Sequence, residues 1–211
     1  MLTLDFHQYA LALHTTTPQL GIAISNFAGD HRSQVWHLGQ DLASHLHQYL
    51  GEILQPQTWQ DLRFIAVAKG PGGFTGTRIG VVTARTLAQQ LEIPLYGVST
   101  LAAVAWSQKT QFEPDSLLAV QMPANRGQLF VGIYQFSETN QKKIYLPDTV
   151  MTPKAWQQTL TDLILPYQLI DTPVNLAETV THILQLGYLE WQEGSLNQWS
   201  EVVPFYGQHP V

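Results

Sequence analysis

The stretch with the most chemical character is Lys69-Gly70-Pro71-Gly72-Gly73-Phe74-Thr75-Gly76-Thr77-Arg78, where four glycines fall within seven residues. Glycines between a buried strand and a helix start let backbone amides approach an anion closely, and the helix N-terminus adds a positive field. Gly70, Gly72, Gly73, Thr75, Gly76 and Arg78 are the candidates for such a contact to an anion or nucleotide. Neither common phosphate loop fits. A Walker A loop ends in Gly-Lys-Ser/Thr, and here the helix opens on Gly76-Thr77-Arg78. A dinucleotide fingerprint needs glycine where Thr75 stands. Two readings therefore stay open: an anion contact, or a tight strand-to-helix turn that packs the helix closely on its sheet.

Other chemistries are absent or weakly supported. The chain has no cysteine, which removes disulfides, thiol nucleophiles and thiolate metal sites and fits a reducing compartment. Gly-x-Ser-x-Gly is missing and no Ser-His-Asp order can be assigned. Asp5 and Asp41 stand too far apart to propose as a carboxylate pair, so no catalytic residue is assigned. His45 and His47, the closest histidines, lie two apart and so on different helix faces, and no metal site is expected. The formal net charge is −6, with no basic run longer than Lys142-Lys143. Nothing here neutralises a nucleic-acid backbone unaided. Arg78 and Arg126 are candidates for phosphate contacts or for local bonds to loop carbonyls. Charged residues make up only 12% of the chain, about half the usual share, which suits a subunit that sits against partners. The tryptophans, scattered from Trp36 to Trp199, read as core or interface anchors. The N-terminal residues lack the features of a signal peptide, and no apolar run reaches the ~18 residues of a membrane span. A soluble cytoplasmic protein is the expectation.

The elements that must position the loop follow from periodicity. Tyr9–His14, Leu20–Phe27 and Arg32–His37 predict three antiparallel strands, joined by turns at Thr15–Gln19 and Ala28-Gly29-Asp30. Leu42, Leu46, Tyr49, Leu50, Ile53 and Leu54 then share one helical face between Gln40 and Pro56. Arg63–Ala68 predicts a buried strand before the loop and Thr77–Leu91 a helix after it. Leu95–Val98 predicts a strand, and Ser99 caps a third helix. The order βββαβαβα is the signature of a ribonuclease-H-like half domain, the unit duplicated in the actin and sugar-kinase (ASKHA) superfamily. An α/β chain of two such subdomains is expected. The second half has strands at Leu117–Val120, Gln128–Phe136, Lys143–Val150 and Leu165–Ile170. Its helices start at Thr152-Pro153 and run over Leu176–Tyr188. It reads as a reduced copy that has lost its long opening hairpins. The polar stretch Ser107–Asp115 places the boundary, giving subdomains 1–106 and 107–211 with a C-terminal segment free to return to the first.

Nucleotide hydrolysis in the ASKHA fold uses a carboxylate in the first hairpin to hold the metal-bound phosphate, and a glycine hairpin from the other half. Here that carboxylate position is His14, and a neutral imidazole is a poor ligand for a hard Mg²⁺ ion. In the second half Gly127, Gly132, Gly187, Gly194 and Gly207 stand alone. The catalytic half of that chemistry is missing.

FIAVAKGPGGFTGTRIGVVTARTLAQQLEIPLYGVSTLAAVA resembles the bacterial TsaB (YeaZ) family, whose members carry a strand, GxGPGSFTGLRIG-like residues, a helix and an I-P-x-x-G-V-S-T-L segment. Gly70-Pro71-Gly72, Phe74-Thr75-Gly76, Arg78-Ile79-Gly80, Pro94 and Gly97-Val98-Ser99-Thr100-Leu101 match; Gly73 and Thr77 depart. The likeness is strong over residues 64–105 and holds by pattern over 10–60. His14-Thr15-Thr16 stands where the family reads Asp-Thr/Ser-Ser/Thr, and Asn125 and Gly207-Gln208 fall in two later motifs that also differ. The resemblance implies a non-catalytic paralogue of TsaD, the enzyme that transfers a threonylcarbamoyl group to the adenosine beside the anticodon of tRNA. It implies pairing with TsaD, binding of TsaE to that pair, and contact with tRNA only through the complex. No cofactor is implied, save ATP or ADP at a complex interface.

Helix arithmetic then suggests a partner surface. Ile79, Val81, Val82, Ala84, Leu87, Ala88 and Leu91 cover most of the second helix, leaving a polar strip of Arg78, Arg85 and Gln89. Leu42, Leu46, Tyr49 and Ile53 of the first helix, with Val82, Leu87 and Leu91 of the second, are expected to meet TsaD or a second copy of the chain. Burial against the chain's own second domain is the competing reading. Two rivals to the leading function remain. An ASKHA-type small-molecule kinase or ATPase predicts Mg-ATP turnover that His14→Asp would raise. A peptidase-like metalloprotein predicts stoichiometric bound zinc or iron.

Overall fold

The computed structural model describes residues 2–113, 116–194 and 198–207. The chain divides into two compact units, Met1–Thr100 with Asn175–Phe205, and Leu101–Val174 with the residues that follow Phe205. The first unit thus reclaims a long C-terminal segment, and the crossing at Thr100 precedes the boundary read from the polar linker. Two linker residues of that reading, Pro114 and Asp115, lie outside the described residues.

The first unit holds a five-stranded sheet of order β3-β2-β1-β4-β5. Its strands are β1 (Tyr9–His14), β2 (Gln19–Ser25), β3 (His31–His37), β4 (Leu62–Ala68) and β5 (Leu95–Val98). The first three form an antiparallel meander, and β4 and β5 join in parallel. β1 lies between β2 and β4 and is buried along its whole length, which is why it reads as an unbroken apolar run. β3 forms one edge and keeps polar, largely exposed side chains.

The two faces of this sheet carry different residues. One face presents Leu11, Leu13, Leu20, Ile22, Ile24, Ile65 and Val67 to α1 (Leu42–Leu54) and α2 (Phe74–Leu91). The other face is built from small residues: Ala10, Ala12, Ala23 and Ala66 alternate onto it, with His14 and Gly21 paired at its end. Here α5 (Val180–Gln192) packs across β1, β2, β4 and β5. The small side chains let it sit close, and a methyl placed on Gly187 would lie 2.7 Å from Cβ of Ala66. Phe64 fills the remaining width, edge-on to Tyr96 and stacked against Trp191.

The second unit holds a four-stranded sheet of order β8-β7-β6-β9, made of β6 (Leu117–Pro123), β7 (Leu129–Phe136), β8 (Lys142–Met151) and β9 (Tyr167–Asp171). β6, β7 and β8 form an antiparallel meander and β9 pairs in parallel with β6. This is the order of β3-β2-β1-β4. The opening hairpins expected to be lost are therefore present, and among the described residues the reduction lies in the missing fifth strand. Their sequence signal is weak because β8 alternates Lys142, Lys143 and Asp148 among its apolar residues. The chain enters this unit at the first turn of α3 (Thr100–Gln108), whose Trp106 meets Phe136 edge to face. A second helix, α4 (Pro153–Thr161), follows β8, and Thr152 caps it by accepting a bond from the Ala155 amide at 3.2 Å. Trp156 and Leu160 of α4 close the core over Leu117, Ala119, Val131 and Ile133.

Several helix starts differ from the expected ones. The first helix begins at Leu42 because Gly39–Asp41 forms a 3-10 turn, and α2 begins three residues early, at Phe74, with Gly73 as N-cap. Gly76 in its first turn lowers the helical signal there. Among the described residues no helix is long and apolar enough to cross a membrane.

Candidate functional site

The glycine loop leaves the carboxyl end of β4 and turns into α2, the place where an open α/β sheet ordinarily receives a ligand. Several of its backbone groups are engaged by the chain itself. Lys69 donates to the Val98 carbonyl at 2.9 Å, and the Lys69 carbonyl accepts from the Phe205 amide at 2.7 Å. The Gly70 carbonyl accepts from Thr100 at 2.9 Å, and the Gly73 amide donates to the Thr16 carbonyl at 2.7 Å. The Thr15 hydroxyl donates to the Gly76 carbonyl at 2.8 Å. The Thr77 hydroxyl donates to the Gly73 carbonyl at 2.8 Å.

Steric arithmetic explains why glycine stands at these positions. A methyl on Gly72 would overlap Thr16, and one on Gly76 would overlap the Thr15 carbonyl oxygen. On Gly80 it would overlap the Thr15 hydroxyl. Gly70 has φ +106°, and a methyl there would strike the Phe205 carbonyl oxygen. The glycines thus seat α2 directly on the β1–β2 turn, and Thr15 and Thr16 fill the space beside the loop. This geometry favours the close-packing reading of the loop. Gly73, Thr75 and Arg78 are the loop candidates left facing outward. The Arg78 side chain makes no hydrogen bond among the described residues.

The C-terminal segment completes the enclosure, a feature the sequence reading missed. Val202–Phe205 runs past the ends of β4 and β5, and a methyl on Gly97 would lie 2.8 Å from Cγ1 of Val202. Pro204-Phe205, just ahead of the departing Gly207-Gln208 pair, was the available signal. Gln208 of that motif lies outside the described residues. Gly207 has φ 63°. Asn125 opens the β6–β7 turn, and Arg126 beside it is exposed at φ 59°.

His14 ends β1 fully buried, and neither ring nitrogen has a hydrogen-bond partner among the described residues. Burial alone drives its pKa down to about 3, so the ring is neutral. A buried, neutral, unpartnered imidazole supplies no negative charge for a metal-bound phosphate. His45 lies half-buried on α1 with Nδ1 3.1 Å from the Asp41 carbonyl oxygen, while His47 is exposed. Among the described residues no three His, Asp or Glu side chains are grouped to hold a metal ion.

The residues expected to form a partner surface are not brought together. Leu42, Leu46 and Ile53 belong to the first unit's own core and cannot meet a partner without opening it. That corrects their assignment: the apolar stripe of α1 is spent on its own sheet. Tyr49 is half-buried and stacked on Trp36, with ring centroids 4.5 Å apart. Leu87 and Leu91 are half-buried against the same core. Of the seven, Val82 alone is open, at 51% exposure. The polar strip of α2 is also displaced: Arg85 lies over the Trp199 ring at 5.8 Å, so the C-terminal turn Trp199–Glu201 covers that flank. The outward stripe comprises Thr75, Arg78, Val82, Thr86 and Gln89, with Phe74 at its start, 39% exposed.

Sheet order, the repeated meander and the enclosed glycine loop define a ribonuclease-H-like α/β chain of the actin and sugar-kinase class. The sequence model of the TsaD family, described as tRNA N6-adenosine threonylcarbamoyltransferase, matches residues 41–161. The tRNA threonylcarbamoyladenosine biosynthesis protein TsaB of Bacillus subtilis is 40% identical over 101 residues, covering 48% of this chain and 42% of that protein. TsaB of Escherichia coli is 37% identical over 78 residues, 37% of this chain and 33% of that protein. The chain thus matches less than half the length of these two curated relatives. A solved structure, YeaZ from Pseudomonas aeruginosa, superposes with a TM-score of 0.76 at 21% identity, covering 94% of this chain and 99% of that one. The chain belongs to the TsaD family of sequences and, within it, to the TsaB (YeaZ) group.

Proposed function

We propose that this chain is a non-catalytic subunit of the machinery that forms threonylcarbamoyladenosine in tRNA, acting in the cytoplasm by pairing with a TsaD protein. TsaE joins the pair, and tRNA is reached only through the complex. The chain holds no resident cofactor, and ATP or ADP would sit only at a complex interface. One observation carries this reading: Thr15, Thr16 and Phe205 fill the surroundings of the glycine loop, while the adjacent hairpin offers a neutral His14 where hydrolysis needs a carboxylate.

The pairing surface is the outward stripe of α2, with Val82 at its centre. Val82→Glu should abolish capture of the chain by TsaD while leaving its free energy of unfolding in urea within about 0.5 kcal/mol of the parent, as exposed substitutions usually do. Unchanged capture would remove α2 from the interface. Leu87→Glu is the poorer test, because it buries a charge against the core. The function itself is tested by reconstituting tRNA modification with and without the chain. Product formed equally well in its absence would refute the subunit role. Steady Mg-ATP turnover by the purified chain would favour the kinase or ATPase rival instead.

A further inference from the structure

Lys109 occupies a setting unlike that of a solvated lysine. It follows α3 in the second unit, and its Nζ lies 3.5 Å from the centroid of the Trp106 ring. The same nitrogen donates to Oδ1 of Asn140 in the turn between β7 and β8. Two contacts therefore fix a side chain that would otherwise sample many rotamers. Beside it lies a cavity of about 360 Å³, with Phe112, Leu118 and Phe136 as apolar lining and Glu113 and Glu138 among its polar groups.

We infer that Lys109 is an acylation site, taking small uncharged activated acyl donors of the ester or thioester class from this cavity onto its Nζ. The aromatic and aliphatic lining suits an apolar donor, and the two carboxylates disfavour an anionic one. In the step, the lone pair of the neutral amine attacks the acyl carbon. The bond from that carbon to the oxygen or sulfur of the donor breaks, and the leaving group departs with its electron pair. The new amide nitrogen gives its extra proton to water, so no oxidant or reductant is needed. The product is uncharged and gives up the cation–π contact with Trp106. The protonation balance supports the same assignment. Burial lowers the lysine's pKa from its ordinary value, while the Trp106 ring and the carboxylates of Glu113 and Glu138 favour the ammonium form. More of it is free amine near neutrality than of a solvated lysine.

The full-length chain is treated with p-nitrophenyl acetate near neutral pH, and acetylation at each lysine is followed by peptide mass spectrometry. Lys109 should react several-fold faster than the exposed Lys143 and Lys154, and urea should abolish the preference. Acetyl phosphate, an anionic donor, should show less of it. Lys109→Arg, which keeps the cation over Trp106, should lose the fast phase of p-nitrophenolate release. Reaction at Lys109 no faster than at Lys143 and Lys154, or a preference that survives in urea, would overturn the proposal.

Discussion

Alanine in place of Gly76 should destabilise the protein by about 3 kcal/mol or more, at the upper end of the usual cost of overpacking. The added methyl points at the carbonyl oxygen of Thr15, which belongs to the backbone of the β1–β2 turn and cannot rotate away. Relief requires α2 to lift off the sheet, which uncovers Val81, Ala84 and Ala88 and breaks the bond from the Thr15 hydroxyl to the Gly76 carbonyl. A control lies one helix earlier. Gly51 sits inside α1 with nothing near its missing side chain, so Gly51→Ala should stabilise by up to about 1 kcal/mol through helix propensity alone. Urea unfolding of the two variants separates the effects. Equal, small changes would mean that the loop glycines serve something other than close packing.

The second large effect is on pH. His14 titrates near 6.5 in an unfolded chain and at about 3 when buried, so the folded state resists a proton that the unfolded state accepts. The stabilisation is therefore complete above about pH 6.5 and declines as pH falls through the window between the two values. The slope there is roughly 1.4 kcal/mol per pH unit, giving a loss of about 2 kcal/mol by about pH 5. Burial also lowers the pKa of His182, which adds to the loss in the same direction. The decisive quantity is the difference between the parent chain and His14→Leu, because the carboxylates titrate in both. The parent should lose stability faster than the variant between about pH 6.5 and 4. Parallel stability curves would show that His14 is reached by water or paired in solution.

Most of the first unit was legible from periodicity, since β1, β5 and the apolar face of α1 carry undiluted signals. The second unit was less so. Its core rests on few large residues, and β8 mixes lysines into a strand whose hydrogen bonding to β7 only the assembled sheet reveals. The glycine loop could be found but not interpreted in advance. Whether glycines admit a ligand or a neighbouring segment depends on what lies opposite them. Thr15, Thr16 and Phe205 are distant in sequence from the loop they fill. The partner stripe failed for a related reason. Helical arithmetic counts apolar positions around an axis, and only packing decides which are consumed internally, as Leu42, Leu46 and Ile53 are.

The return of Asn175–Phe205 to the first unit has a temporal side. A polypeptide made from its amino end forms the meander, β4 and β5 long before α5 exists. Until then the alanine-lined face, which also carries Phe64 and Tyr96, has no cover and stays open to chaperones or to unwanted self-association. Helices α1 and α2 can cover the opposite side early, but translation must pass Gln192 before this side of the sheet is sealed.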